Sequence, residues 1–369
     1  MKIVCNKNEL AKGLQIVSRA IPTKTTMSIL EYILIDATGP EVKLIGNDME
    51  LGIETVIKCD VMERGYIALG ARLFLDVVRK LPETDVTITL GDNSIVTINA
   101  LKAEFKIPGR AGEEFNFLPD IARIDGIEIS QYSLKNVINQ TIFAISAGND
   151  TNRMMSGELL EINSDILRVV ALDGHRIAIR KINLSGSYPS KKVVVPGKTM
   201  SELSKILEDS TEKKAEIFFT DKHVMFSFDR TTVVSRLIEG NYFNIDQMLS
   251  SDYETKVSVS RKELTDSIDR ATLLVKEGDK KPVIFEINDN DMEIRINSTI
   301  GSMNESIDIN KQGKNLMIGF NPKFVMDVLK VIEEEKADIY FVNPKAPCFF
   351  KNEEESYNYL ILPINFTTV

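Results

Sequence analysis

The chain has no tryptophan, two histidines (His175 and His223) and three cysteines (Cys5, Cys59 and Cys348). Each scarcity excludes something. Hydrolytic triads and most zinc or iron centres draw on histidine, so the enzymatic alternative left standing is carboxylate–metal chemistry. An odd, dispersed set of cysteines makes no disulfide framework, and no C-x-x-C pair seeds a zinc site. The three read as small buried hydrophobes. No apolar run reaches the ~20 residues of a membrane span. Met1-Lys2-Ile3-Val4-Cys5-Asn6-Lys7 turns polar too soon for a secretory leader, so the sequence reads as cytoplasmic. There is no G-x-x-x-x-G-K-[ST] nucleotide loop. There is also no basic-aromatic or recognition-helix signature for reading bases. Taken as a total, a net charge of −9 speaks against nucleic-acid binding, since phosphate contact needs Lys and Arg.

What is present is a threefold repeat. The length of 369 residues suits two or three domains, and 43% hydrophobic with 27% charged residues is an ordinary globular balance. Leu10, Leu14, Val17 and Ile21 share the spacing of Leu134, Ile138, Thr141 and Ile145, and of Leu264, Ile268, Ala271 and Val275. Each set is one face of a helix about four turns long. Asn6, Ser130 and Ser260 stand before these helices as N-caps, whose side-chain oxygens accept a free backbone N–H. A second helix recurs on Phe74, Val78 and Leu81, on Leu203 and Leu207, and on Val325, Leu329 and Ile332. Pro322 suits the first position of the last one.

Paired β runs follow each helix in one order. After the first helices they are 32–37 with 42–46, 158–162 with 166–172, and 283–287 with 292–297. After the second helices they are 86–90 with 95–100, 215–219 with 223–228, and 337–342 with 347–351. Short polar turns such as Asn163-Ser164-Asp165 separate the pairs as hairpins require. The expected organisation is therefore α+β: three repeated domains, 1–125, 126–252 and 253–369, each with two helices and antiparallel sheets.

Charge is unevenly placed. The six helical segments carry a net +7, so the rest of the chain carries −16. A positive helical surface beside a negative remainder attracts a polyanion to one face and repels it from the others, although Lys and Arg are also good helix formers on solvated faces. Without a base-reading motif, any DNA contact would be to the backbone, salt-dependent and able to slide.

Five collinear strings carry a resemblance. They are Ala71-Arg72-Leu73-Phe74-Leu75-Asp76-Val77-Val78-Arg79-Lys80-Leu81-Pro82-Glu83; Ala171-Leu172-Asp173-Gly174-His175-Arg176-Ile177-Ala178; Ser235-Arg236-Leu237-Ile238-Glu239-Gly240; Ile318-Gly319-Phe320-Asn321; and Tyr357-Asn358-Tyr359-Leu360-Ile361-Leu362-Pro363-Ile364. Together they resemble the bacterial replicative sliding clamp, the beta subunit of DNA polymerase III, over the whole chain.

The resemblance implies the DNA-clamp fold and a head-to-tail homodimeric ring around duplex DNA, with no sequence preference. It implies a processivity factor with no catalysis, cofactor or metal of its own. The implied partners are the replicative polymerase catalytic subunit, the clamp loader and other proteins with short clamp-binding peptides, with no membrane role. For DNA the candidates are Lys24, Arg72, Arg79, Lys80, Asn149, Arg153 and Lys198, of which Lys24, Arg72, Asn149 and Lys198 stand at or near positions where the resemblance implies DNA-contacting groups. For a partner-peptide groove it points to Met155, Leu172, Gly174, His175, Arg176, Ile177, Met248, Phe324, Leu360, Ile361, Leu362, Pro363 and Ile364. For the dimer interface it points to Phe105, Ile107, Leu273 and Leu274.

Two departures stand out. Asn241-Tyr242-Phe243-Asn244-Ile245-Asp246 replaces a usual Tyr-Pro-Asp run, and Leu172 is bulkier than the small residue usual there. Two other readings compete: a carboxylate–metal hydrolase, for which Glu333-Glu334-Glu335 and Glu353-Glu354-Glu355 supply no converging site, and a β-rich scaffold that forms no ring.

Overall fold

The computed structural model describes residues 1–115, 118–146, 152–249, 252–275 and 281–366. Among them the repeat is carried by α1 (Lys7–Val17), α2 (Ala71–Lys80), α3 (Gln131–Asn139), α4 (Gly197–Ile206), α5 (Arg261–Thr272) and α6 (Pro322–Leu329). The three expected caps form. Asn6 Oδ1 accepts the Asn8 N–H at 2.9 Å, Ser130 Oγ that of Ser133 at 3.0 Å, and Ser260 Oγ that of Glu263 at 3.3 Å. Pro322 occupies the first turn of α6, where Asn321 Oδ1 accepts from Lys323.

The first helices are shorter than four turns. Each stops where a hydroxyl takes a carbonyl of the preceding turn: Ser18 Oγ donates to Leu14 O, Thr141 Oγ1 to Val137 O and Thr272 Oγ1 to Asp269 O. Side chains that bond back to the helix in this way compete with its own ladder. Ile21, Ile145 and Val275 therefore lie beyond the helices on which their spacing placed them.

The chain forms two compact units, Met1–Lys135 with Ser201–Leu237, and Asn136–Met200 with Ile238–Val369. The middle third of the sequence is divided between them. In the first unit, a 13-stranded antiparallel sheet includes the strand Thr231–Arg236 laid against Leu51–Ile57. The buried Thr55 and Thr231 hydroxyls meet there at 2.9 Å. α1 packs on the strands Val42–Asn47 and Leu51–Ile57. A Cβ at Gly46 would stand 2.3 Å from the Val17 carbonyl oxygen, so only glycine lets the helix end approach so closely.

In the second unit, a 10-stranded sheet lays Tyr357–Ile361 against Arg176–Pro196, with Arg176 opposite Ile361 and Arg180 opposite Tyr357. The joint obeys one rule in both units: the last strand of one third pairs with the strand of the preceding third that holds the place of Leu51–Ile57, which is Arg176–Pro196 in the middle third and Gly301–Gly313 in the last. Two such edges have no strand partner among the described residues. One is the outer edge of 103–108 in the strand Ala103–Arg110. The other is that of 301–308 in Gly301–Gly313, which pairs there only with Asp291–Ser298.

Two expectations are corrected. Residues 158–172 do not form a hairpin; Gly157–Leu172 is one strand of 16 residues running beside Arg176–Pro196. Ser164, at φ 57°, sits in a bulge where the register shifts on both sides. One left-handed residue bends a strand without reversing it when the partner strand continues past. Of the three cysteines expected to be buried, Cys5 and Cys348 are, whereas Cys59 is half-buried beside Cys5, its direct cross-strand partner in the first unit; Cys5 and Cys59 are both free thiols. The Cys5 thiol and burial push Cys59 far above the usual thiol range.

Candidate peptide groove and DNA-facing cations

The candidate groove lies wholly in the second unit and is organised by a tight turn. Asp173 Oδ1 accepts the backbone N–H of His175 at 2.9 Å and of Arg176 at 3.1 Å. Gly174 takes φ +84°, a left-handed value that strains any residue with a Cβ. The turn delivers Arg176 into the interior, where its side chain is only 8% exposed. Its Nε donates to Asp173 Oδ2 at 2.9 Å, Nη1 to Asp327 Oδ2 on α6 at 2.6 Å, and Nη2 to the Phe143 carbonyl. Its guanidinium lies over the Phe324 ring at 4.3 Å. A planar, permanently charged fork is the side chain that meets two carboxylates and an aromatic face at once.

His175 stays exposed and stacks on Phe324, with ring centroids 6.3 Å apart. Its carbonyl accepts the Leu362 N–H at 2.9 Å, while Gly319 O accepts from Ile364 at 2.8 Å. The tail from Leu362 to Ile364 is thereby laid along the turn and the strand Leu316–Phe320 that leads into α6. Asp173 bonds to backbone and Arg176, so Asp173 and His175 do not form an acid–base pair.

Strand alternation sorts the remaining candidates. Leu172, Ile177 and Leu360 are buried in one apolar cluster with Met154, Ile179, Tyr340 and Phe349, and Met155 packs against it. They are floor. Gly174, His175, Met248 and Leu362 are exposed, and Met155, Phe324, Pro363 and Ile364 are half-buried; they are rim. Ile361 points to the opposite core with Val257 and Phe350 and does not line the groove. The departing segment is filled by aromatics. Tyr242 and Phe243 meet edge-to-face at 5.7 Å and pack on the floor cluster, and the Tyr242 hydroxyl donates to Val170 O at 3.4 Å. Burial raises the Tyr242 hydroxyl above the usual phenol range.

Sequence reasoning missed Asp327, Phe143 and Glu158. Asp327 had a signal, since it stands three positions after Phe324 and so shares its helix face. Glu158 is fully buried, with Oε1 2.6 Å from the Thr141 hydroxyl and Oε2 without a partner, and burial pushes it up to about 8. Thr141 has one proton, and its hydroxyl also lies 2.8 Å from Val137 O. A protonated Glu158 donating to Thr141, which donates onward to Val137, satisfies this chain of donors and acceptors.

The cations separate into bonded and open sets. Lys7, Lys12 and Arg19 on or just after α1 pair with Glu83, Glu208 and Glu202, which neutralises much of that helix. Lys24, Arg72, Arg79 and Lys80 are exposed and have no ion pair among the described residues. Arg72 and Arg79 are seven positions apart on α2, hence on one face. Arg153 and Lys198 are exposed in the second unit, and Asn149 lies outside the described residues. Of the interface candidates, Leu273 is 77% and Phe105 39% exposed; Leu274 is half-buried and Ile107 is buried. No helix among the described residues is long and apolar enough to cross a membrane.

A threefold α+β repeat whose thirds join strand to strand, with the Arg176 turn, α6 and the C-terminal tail gathered beside an apolar cluster, defines the class of fold. Comparison makes the class specific. The DNA polymerase III beta subunit N-terminal, central and C-terminal domain families match residues 1–119, 128–244 and 246–365 in turn. The beta sliding clamp of Staphylococcus aureus is 35% identical over 357 residues, 94% of each chain. A crystal structure of a putative DNA polymerase III beta subunit from Eubacterium rectale is 58% identical, with a TM-score of 0.96 over 99% of this chain and 100% of that one. The DNA polymerase sliding clamp of Bacillus subtilis is 33% identical, with a TM-score of 0.96 over both whole chains.

The chain therefore belongs to the bacterial DNA polymerase III beta subunit family, the beta sliding clamps. Its role is that of a non-catalytic processivity factor in DNA replication.

Proposed function

We propose that two copies of this chain close head to tail into a ring of six repeats, with repeat boundaries near Asp125 and Asp252. The observation that carries this is the strand-pairing rule at the joints between thirds. Applied once more, it lays 103–108 of one copy against 301–308 of the other. An unpaired edge is a ready template for a second chain, and a heterologous contact closes when the rotation fits.

The interface candidates lie at these edges. Phe105 is on the first, and a Cβ at Gly301 would meet Leu274 Cδ2 at 3.2 Å, which puts the end of α5 beside the second. The exposed cations Lys24, Arg72, Arg79, Lys80, Arg153 and Lys198 then contact the DNA backbone in succession, each weakly, so the ring slides. Tethering comes from topology, which reconciles a net charge of −9 with service on DNA.

The groove between the His175 turn, α6 and the C-terminal tail receives linear peptides of the polymerase, the loader and other replication proteins. Aliphatic or aromatic side chains rest on Leu172, Ile177 and Leu360 while the tail offers backbone pairing.

Electron microscopy of the purified protein tests the ring: closed particles with six similar lobes are expected. Sedimentation then tests the edges. Leu273→Glu with Leu274→Glu should convert dimers to monomers, and a dimer that survives would remove the edge-pairing argument.

A further inference from the structure

Beside the groove, the second unit holds a charged hollow that the clamp role does not use. Two cavities of about 530 and 260 Å³ share Arg168, Lys181 and Asp246 as lining residues. Their combined walls present five cations against three carboxylates, in a chain of net charge −9. Arg168 is held between Glu161 at 3.2 Å and Asp246 at 2.8 Å, and its buried Nε has no hydrogen-bond partner. Lys181 reaches Glu355 only at 3.9 Å, with both side chains well exposed, so that pair exchanges readily. Lys191 has no ion pair among the described residues.

The hollow continues the groove. Successive side chains on a strand alternate faces, so Ile177, Ile179 and Lys181 share one face, as do Leu360 and Asn358 on the neighbouring strand. Ile177 and Leu360 are groove floor, while Ile179, Lys181 and Asn358 line the hollow. At ~3.3 Å per residue, Lys181 lies about 13 Å along the strand from Ile177, a span of four extended peptide residues.

We propose that this hollow seats the acidic flank of a peptide whose apolar core occupies the groove, an inference that rests on the groove reading above. Carboxylates two to four residues beyond the core meet Lys181 and Lys191, and Arg168 is pre-aligned behind them. A peptide fits better than a nucleic acid. The Ile166 and Leu249 side chains stand beside the cations and suit the mixed apolar and charged surface of a polypeptide, whereas a sugar–phosphate chain has no apolar side chain to set against them.

The test uses the full-length dimer and two fluorescein-labelled peptides sharing a Leu/Phe core. One has three glutamates on its flank and the other three glutamines, and each is made with the flank at either end. In fluorescence anisotropy at low salt, the acidic peptide should bind about fivefold or more tightly than the neutral one. That advantage should disappear in Lys181→Glu with Lys191→Glu and at 0.5 M salt, where screening is strong, while the neutral peptide binds the variant unchanged. Equal binding of the two peptides to the native protein overturns the proposal and leaves the groove standing. Failure of both peptides to bind overturns it together with the groove. Displacement of the acidic flank alone by a single-stranded oligonucleotide of equal charge assigns the hollow to nucleic acid and overturns it as well. Melting curves of the variant that match the native protein confirm that the fold is intact.

Discussion

Arg176 is the residue whose removal should matter most to the groove. Arg176→Ala deletes three hydrogen bonds and leaves the Asp173 and Asp327 side chains, 14% and 20% exposed, without their cation. Breaking a buried charge pair from one side costs about 3–5 kcal/mol. Partial hydration of the two carboxylates places the expected loss near the lower end, about 3 kcal/mol. Phe324 also loses its guanidinium, the support on which the His175 stack is built. Urea denaturation followed by circular dichroism should show a transition shifted down by roughly 1 M or more, given ordinary urea slopes. Arg176→Lys keeps the charge but not the fork, so it should recover only part of the loss. Arg176→Met combined with Asp327→Asn should be less damaging than Arg176→Met alone, because it removes the stranded carboxylate. A loss below about 1 kcal/mol for the alanine variant would refute this account. So would a lysine variant as stable as the native protein, since the fork geometry would then be irrelevant.

Other outcomes follow from the same structure. Glu158 stays protonated in the fold up to about pH 8, whereas its ordinary pKa is 4.5. Between those values the folded state holds a proton that the unfolded state has lost, so this group's contribution to stability falls as pH rises, by up to about 1.4 kcal/mol per unit. Glu158→Gln should remove that slope, and parallel stability–pH curves for the two proteins would count against a neutral Glu158. Alanine at Lys24, Arg72, Arg79 and Lys80 together should shorten residence on circular duplex DNA and flatten its salt dependence, by about 0.9 in log–log slope for each phosphate that is no longer neutralised. Unchanged residence with an unchanged slope would remove these side chains from the DNA face. The Cys5 thiol and burial raise the thiol of Cys59, and burial raises that of Cys348, so both should resist a thiol reagent at pH 8 until the protein is denatured. Rapid labelling of the native protein at either position would contradict that placement.

The parts legible in the sequence were those decided within a few residues. A side-chain oxygen at Asn6, Ser130 or Ser260 reaches an N–H two or three positions on, whatever the rest of the chain does. Helical spacing exposes a buried face, and five of the six paired β runs formed as hairpins because their turns reverse the chain locally. The sixth did not. Asn163-Ser164-Asp165 has turn chemistry, yet the long partner strand made it a bulge. Helix lengths escaped prediction for a similar reason: the spacing continued past Val17, Asn139 and Thr272, while hydroxyls closed the ladders earlier.

The sites divide in the same way. The strings that carried the family resemblance held the His175 turn, and the floor residues Leu172, Ile177 and Leu360 lay within them. What Arg176 does there depends on Asp327, 151 positions away. Charge counting marked α1 as positive, but its Lys and Arg side chains face carboxylates from distant segments. Cys5 and Cys59 are neighbours only because a ladder brings their strands together. The sequence by itself determined the repeat, the caps and the family, because propensity and periodicity act over one or two turns of chain. Which charges are neutralised, which thiols meet, which strand edges stay open and which guanidinium is buried were decided by tertiary structure alone. Coulomb forces, hydrogen bonds and burial act through space, and only folding sets the distances over which they act.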